Sequence, residues 1–195
     1  IEAIAACFNA KVFRAEVGEA NVVSLAAKLR QDGCTVHVLG EGSNGGNITD
    51  PAKVRDPLNS VMTVLKLISD RKLYAYAVEK LTGKKCDEEP SIAGLIRALP
   101  AYTTTGAFSS LAKMHVKHTD WAALKTEYER LFVTQWEGMH LESEGITGWT
   151  EKQTEGIREV TGTGAQYRSP QAKGGLKMVL LDAEGSHAAY MWLRP

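Results

Sequence analysis

The stretch of this chain best equipped for chemistry is Gly40-Glu41-Gly42-Ser43-Asn44-Gly45-Gly46-Asn47. Four glycines in eight residues let the backbone turn sharply and come close to a ligand. Glu41 offers an anionic acceptor and Ser43 a hydroxyl that donates and accepts, a pair suited to the hydroxyls of a sugar. The apolar, β-branched run Thr35-Val36-His37-Val38-Leu39 before it reads as a strand whose carboxyl end carries the loop, where α/β proteins bind their ligands. Glycines 40, 42 and 45 also spell G-x-G-x-x-G, but the dinucleotide fingerprint works only when its last glycine opens a helix that receives the pyrophosphate. Here Asn47-Ile48-Thr49-Asp50-Pro51 is turn chemistry, and the next helix is expected only after Asp56, an N-cap with Pro57 in the first helical position. A non-catalytic sugar-phosphate or nucleotide-binding module and a purely structural glycine turn are the alternatives to sugar recognition.

Arg194 is the other informative residue. It stands at the end of Tyr190-Met191-Trp192-Leu193, where the planar guanidinium fork suits phosphate oxygens. The histidines 37, 115, 118, 140 and 187 are scattered and read as structural or surface groups. His115 and His118 flank Lys117 in a strand-like pattern, which is no metal site, and the acidic D-x-D loop that magnesium needs in phosphoryl transfer is absent. No Ser-His-Asp or Cys-His arrangement has local support. The chain is therefore expected to carry no catalytic residue and no metal ligand of its own.

Those residues must be positioned by a chain of 195 residues, 44% hydrophobic and 24% charged, which is ordinary for one large soluble domain or two small ones. Twenty-three basic residues balance twenty-three acidic ones, so no broad basic field exists for nucleic acid or an anionic membrane. Cys7, Cys34 and Cys86 are odd in number and widely spaced, which argues against a zinc site and a disulfide framework and for a reducing, cytoplasmic compartment. No apolar run has membrane-spanning length and no signal peptide is evident. The chain starts at Ile1 and stops at Pro195 just after a strand, and both ends read as cut.

Apolar spacing predicts a helical remnant over 1–9, a short strand over 11–17, a helix over 20–30 and the strand over 35–39. Strand, helix, strand makes a βαβ unit, from which a parallel sheet is expected. The helix over 56–69 has almost no charge and is expected to be largely buried; shorter helices are expected over 73–81 and 92–99, the second capped by Ser91 and ended by Pro100. Residues 102–110, with three threonines in a row, read as linker. Beyond it a strand over 113–116 and a helix capped by Thr119 or Asp120 are expected, the helix covering a sheet with Trp121, Leu124, Tyr128, Leu131 and Phe132. Residues 161–175 read as loop, and 176–181 with 186–193 as a β-hairpin about Asp182-Ala183-Glu184-Gly185.

In order and spacing these segments resemble the C-terminal part of an α-D-phosphohexomutase, the phosphoglucomutase/phosphomannomutase superfamily. The family's third domain has a sugar loop of the form G-E-x-S-G, matched by Gly40-Glu41-Gly42-Ser43 with Asn44 interposed before Gly45. Its T-x-V-G-x turn resembles Glu16-Val17-Gly18-Glu19-Ala20, its D-G-I-type helix start resembles Arg55-Asp56-Pro57-Leu58, and the opening of its R-P-S-G-T-E-P phosphate loop resembles Leu193-Arg194-Pro195. The resemblance implies an α/β architecture: a βαβ-type mixed-sheet domain over 1–101, a linker over 102–112, and a smaller, truncated α+β domain of the TBP-like kind over 113–195. It implies interconversion of hexose 1-phosphate and hexose 6-phosphate through a phosphoserine, magnesium and a hexose 1,6-bisphosphate intermediate. The phosphoserine and the metal ligands belong to domains that precede this chain, so the missing N-terminal domains and a hexose phosphate are the expected partners. Carried over, Gly40, Glu41, Gly42 and Ser43 hold the sugar and Arg194 contacts the non-transferred phosphate. Glu19 departs from the family, which often has a basic residue there, and a carboxylate repels phosphate.

Overall fold

The computed structural model describes residues 1–41, 47–101, 109–117, 120–169 and 172–194. They form a mixed α/β chain in the order α1 (Glu2–Cys7), α2 (Glu19–Gln31), β1 (Val38–Leu39), β2 (Ile48–Thr49), α3 (Pro57–Ser69), α4 (Arg71–Thr82), α5 (Ile92–Ala98), α6 (Trp121–Gln135), β3 (Gly148–Glu155), β4 (Arg158–Thr161), β5 (Gly175–Leu181) and β6 (His187–Leu193). The chain divides into two compact units, Ile1–Phe13 with Val36–His115, and Arg14–Thr35 with Val116–Pro195. Most of the expected linker, 102–108, lies outside the described residues.

In the first unit, short polar side chains set the helix starts. Asp56 accepts from the Asn59 amide at 2.9 Å with Pro57 in the first position of α3, and Asp70 accepts from the amides of Lys72 and Leu73 to start α4 directly after α3. Ser91 caps α5 through the Gly94 amide at 3.0 Å. Gly83, at φ 68°, ends α4 in the left-handed conformation that a side chain disfavours. These helices bury Tyr74, Val78 and Ala98, with Ile68, Leu81, Cys86 and Leu95 packed around them. The Tyr74 hydroxyl is satisfied by Glu88 at 2.9 Å, and Glu88 in turn pairs with Arg97.

Several expectations fail across these segments. The α3 helix forms, but none of its residues is buried: Leu58 is 71% exposed and Val61 and Met62 are each 55% exposed. Its apolar periodicity fixes a helix without supplying a neighbour, and only its last turn, at Ile68, joins the core. The parallel βαβ unit is also absent, since every strand pair among the described residues is antiparallel. Residues 11–17 form no strand and are divided between the two units, and the strand expected over 35–39 shrinks to Val38–Leu39, which pairs with β2. The strand expected over 113–116 is likewise absent, with Met114 93% exposed.

In the second unit a four-stranded antiparallel sheet of order β4-β3-β5-β6 takes α6 on one face. Asp120 caps α6 through the Ala123 amide at 3.0 Å. Phe132 of α6 packs with Ile146, Leu176, Met178 and Leu180, and its ring meets Trp149 edge-on at 5.0 Å. The β5–β6 hairpin turns at Asp182, whose carboxylate accepts from the amides of Glu184 and Ser186. The β3–β4 hairpin has no counterpart among the expected elements.

Candidate functional site

Of the glycine-rich loop, Gly40, Glu41 and Asn47 are described, while Gly42, Ser43 and Gly45 fall outside the described residues. The stems are fixed. Leu39 lies opposite Ile48 and Val38 opposite Thr49, so the residues on either side of the loop pair antiparallel, anchored by Ile48, fully buried, and Leu39, 8% exposed. Its far stem is tied to α3: the Asn47 amide donates to Ser60 Oγ at 3.0 Å, the Asp56 amide donates to the Asn47 carbonyl at 3.1 Å, and Asn59 donates to Thr49 Oγ1. The strand that follows the loop occupies the place where a dinucleotide site needs a helix N-terminus.

Glu41 stands where β1 ends. Its side chain is 12% exposed and its Oε2 lies 3.4 Å from Arg55 Nη1, one residue before the cap of α3. The start of α3 therefore holds both the far stem of the loop and the carboxylate at its near stem. Arg194 belongs to the other unit, directly after β6, and its exposed guanidinium lies 5.3 Å from the centre of the Trp192 ring. Glu19 occupies the first turn of α2, where a carboxylate complements the helix dipole.

A second polar constellation was not legible as a site in the sequence. At the end of the α6–sheet layer opposite Trp149, the second unit buries Lys125 (2% exposed), Glu151 (1%) and Gln153 (7%). Register explains why: Trp149, Glu151 and Gln153 pair with Leu180, Met178 and Leu176, so one face of β3 passes from aromatic to acidic to amide along the core side. Arg168 knits the group together. Its Nη2 donates to Glu129 Oε2, its Nη1 to Thr126 Oγ1 at 3.0 Å, and the same Nη2 lies 3.9 Å from Glu151 Oε1. Gln153 donates to Glu151 Oε1 at 2.7 Å, and the Gly164 amide donates to Glu129 at 3.0 Å. Lys125 Nζ donates to the carbonyls of Ala172 and Gly174, while Glu16 Oε2 accepts from the Gly175 amide at 3.0 Å and from Thr154.

Burial, then hydrogen bonding and repulsion from Glu129, push the Glu151 carboxyl up to about 7 against the pull of Arg168. Burial likewise lowers the Lys125 ammonium, with Arg168 adding to the effect and Glu155 and Glu16 opposing it. The signal available in the sequence was the i, i+4 pair Lys125 and Glu129 together with the polar run from Thr150 to Glu155, which read equally well as a solvated face.

Among the described residues, no group of three His, Cys, Asp or Glu side chains is placed to hold a metal ion, so magnesium finds no ligand set there. No helix among them is long and apolar enough to cross a membrane. Comparison with family models, with curated proteins and with solved structures finds no match.

Proposed function

We propose that this chain is the sugar-phosphate-recognising part of an α-D-phosphohexomutase, a cytoplasmic enzyme that interconverts hexose 1-phosphate and hexose 6-phosphate. In this reading Glu41 accepts hydrogen bonds from sugar hydroxyls, Ser43 donates and accepts beside it, Gly40 and Gly42 let the backbone approach the ring, and Arg194 receives the non-transferred phosphate. The phosphoserine nucleophile and the ligands of magnesium come from other domains of the same protein, and the bisphosphorylated sugar turns over between them. The supporting observation is Glu41 itself, a carboxylate at the near end of the glycine-rich stretch that is ion-paired to Arg55 at the start of α3. A carboxylate oriented before the ligand arrives loses less conformational freedom on binding than one on a free side chain.

Calorimetric titration with glucose 1-phosphate, glucose 6-phosphate and the mannose phosphates tests the reading, with NAD as the competing ligand class. Hexose phosphates are expected to bind, and Glu41→Ala and Ser43→Ala are each expected to weaken them about tenfold, the loss of one charge-assisted or polar contact. The chain alone is expected to give no conversion of glucose 1-phosphate to glucose 6-phosphate. Hexose phosphate binding that is indifferent to Glu41→Ala, or tight NAD binding, overturns the proposal.

A further inference from the structure

We infer that the polar end of the second unit is an anion site, taking inorganic phosphate or the phosphate group of a monoester, separate from the residues assigned to the sugar. Three buried side-chain atoms among the described residues have no hydrogen-bond partner: Glu151 Oε2, Arg168 Nε and Ser169 Oγ. All three belong to this one constellation. A buried donor without an acceptor costs about 1–3 kcal/mol, so natural proteins leave few of them. Arg168 Nε and Ser169 Oγ are both donors, they belong to adjacent residues, and both residues line the same small cleft of about 20 Å³. The Arg168 side chain is only 7% exposed, so bulk water does not supply what Nε lacks.

Three cations, Lys125, Arg158 and Arg168, line the cleft with Glu155, and Glu129 and Glu16 bond Arg168 and the Gly175 amide beside it. Arg168 spends its two Nη groups on Glu129 and Thr126 and leaves Nε without a partner, and Arg158 at the cleft makes one weak contact, 3.5 Å, to the Tyr167 carbonyl. The guanidinium of Arg158 is exposed and able to swing onto an incoming oxyanion, whereas Arg168 and Lys125 are fixed by their partners. A tetrahedral oxyanion presents several acceptors at once, which suits donors converging from β4, α6 and the 167–169 segment.

Inorganic phosphate titrated into the full chain at constant ionic strength, followed by amide NMR, tests the inference. Saturable shifts at residues 153–155, 168–169 and 174–175 are expected with phosphate and not with chloride. Arg158→Gln and Ser169→Ala are expected to weaken phosphate about tenfold each, the loss of one contact to a charged ligand. Without phosphate, Ser169→Ala should melt no lower than the parent, because it removes a buried hydroxyl that lacks a partner. Methyl phosphate binding as tightly as phosphate marks a monoester site; phosphate alone marks a site for the free ion. Amides that do not respond, a response shared equally by chloride, or wild-type affinity in both variants overturns the inference. Glu41→Ala is expected to leave this response intact, so failure here and failure of the sugar reading are separately visible.

Discussion

Glu41 and Glu151 are both glutamates with little exposure, one ion-paired beside the glycine-rich stretch and the other turned inside a sheet. Glu41 stood out because glycines surround it, and glycine is the residue a chain uses where backbone must approach something closely. Glu151 did not, because it sits in the polar run from Thr150 to Glu155, which has the pattern of a wetted face; only the pairing of Glu151 with Met178 places it inward. The consequence for stability has a definite sign. A carboxyl whose folded value is about 7, against an ordinary 4.5, binds its proton more tightly folded than unfolded. Stability from this group is complete below about pH 4.5 and falls as pH rises to about 7, by a few kcal/mol at most, because Arg168 and Gln153 still hold the anion. Glu151→Gln is expected to flatten this part of the pH–stability curve, measured by urea unfolding at several pH values; an unchanged slope between pH 5 and 7 would contradict the assignment.

Helix starts were the most legible elements, because a cap and a proline act through bonds within four residues. Asp56, Ser91 and Asp120 each cap the helix they announce. Replacing Asp56 by Ala is expected to cost about 1 kcal/mol in the first unit. The bond from the Asp56 amide to the Asn47 carbonyl, which the substitution leaves in place, should keep the far stem of the glycine loop tied to α3. Strand partners were the least legible, because pairing is decided by residues far along the chain. The run Thr35–Leu39 kept two strand residues and found an antiparallel partner nine residues on, where a parallel neighbour was expected. The β3–β4 hairpin escaped notice because its inward face carries Glu151 and Gln153 where apolar residues announce a strand. Phe132 is nonetheless where the expected α6 face put it, 3% exposed against that sheet. Phe132→Ala is expected to cost about 3–5 kcal/mol, read from denaturant midpoints.

At the scale of the molecule, charge and apolar surface act together. The formal net charge is zero and the isoelectric point about 7.1, so little electrostatic repulsion separates copies near neutral pH. The exposed stripe of Leu58, Val61, Met62 and Leu65 on α3 then favours self-association. Light scattering is expected to rise with concentration at pH 7 and to fall at pH 9, and Leu58→Lys with Met62→Lys should suppress it at pH 7. Scattering that ignores both changes would show that the stripe is not the cause. The division into two units, each with its own core, also governs how any ligand can be detected. Trp121, Trp136, Trp149 and Trp192 all lie between residues 116 and 195, and so in the unit that holds Phe132 and Arg194. Intrinsic emission is thus a lamp fixed in one room of a two-room house. A reporter installed beside Glu41 would follow the sugar there, while Trp192, 5.3 Å from Arg194, would follow the phosphate.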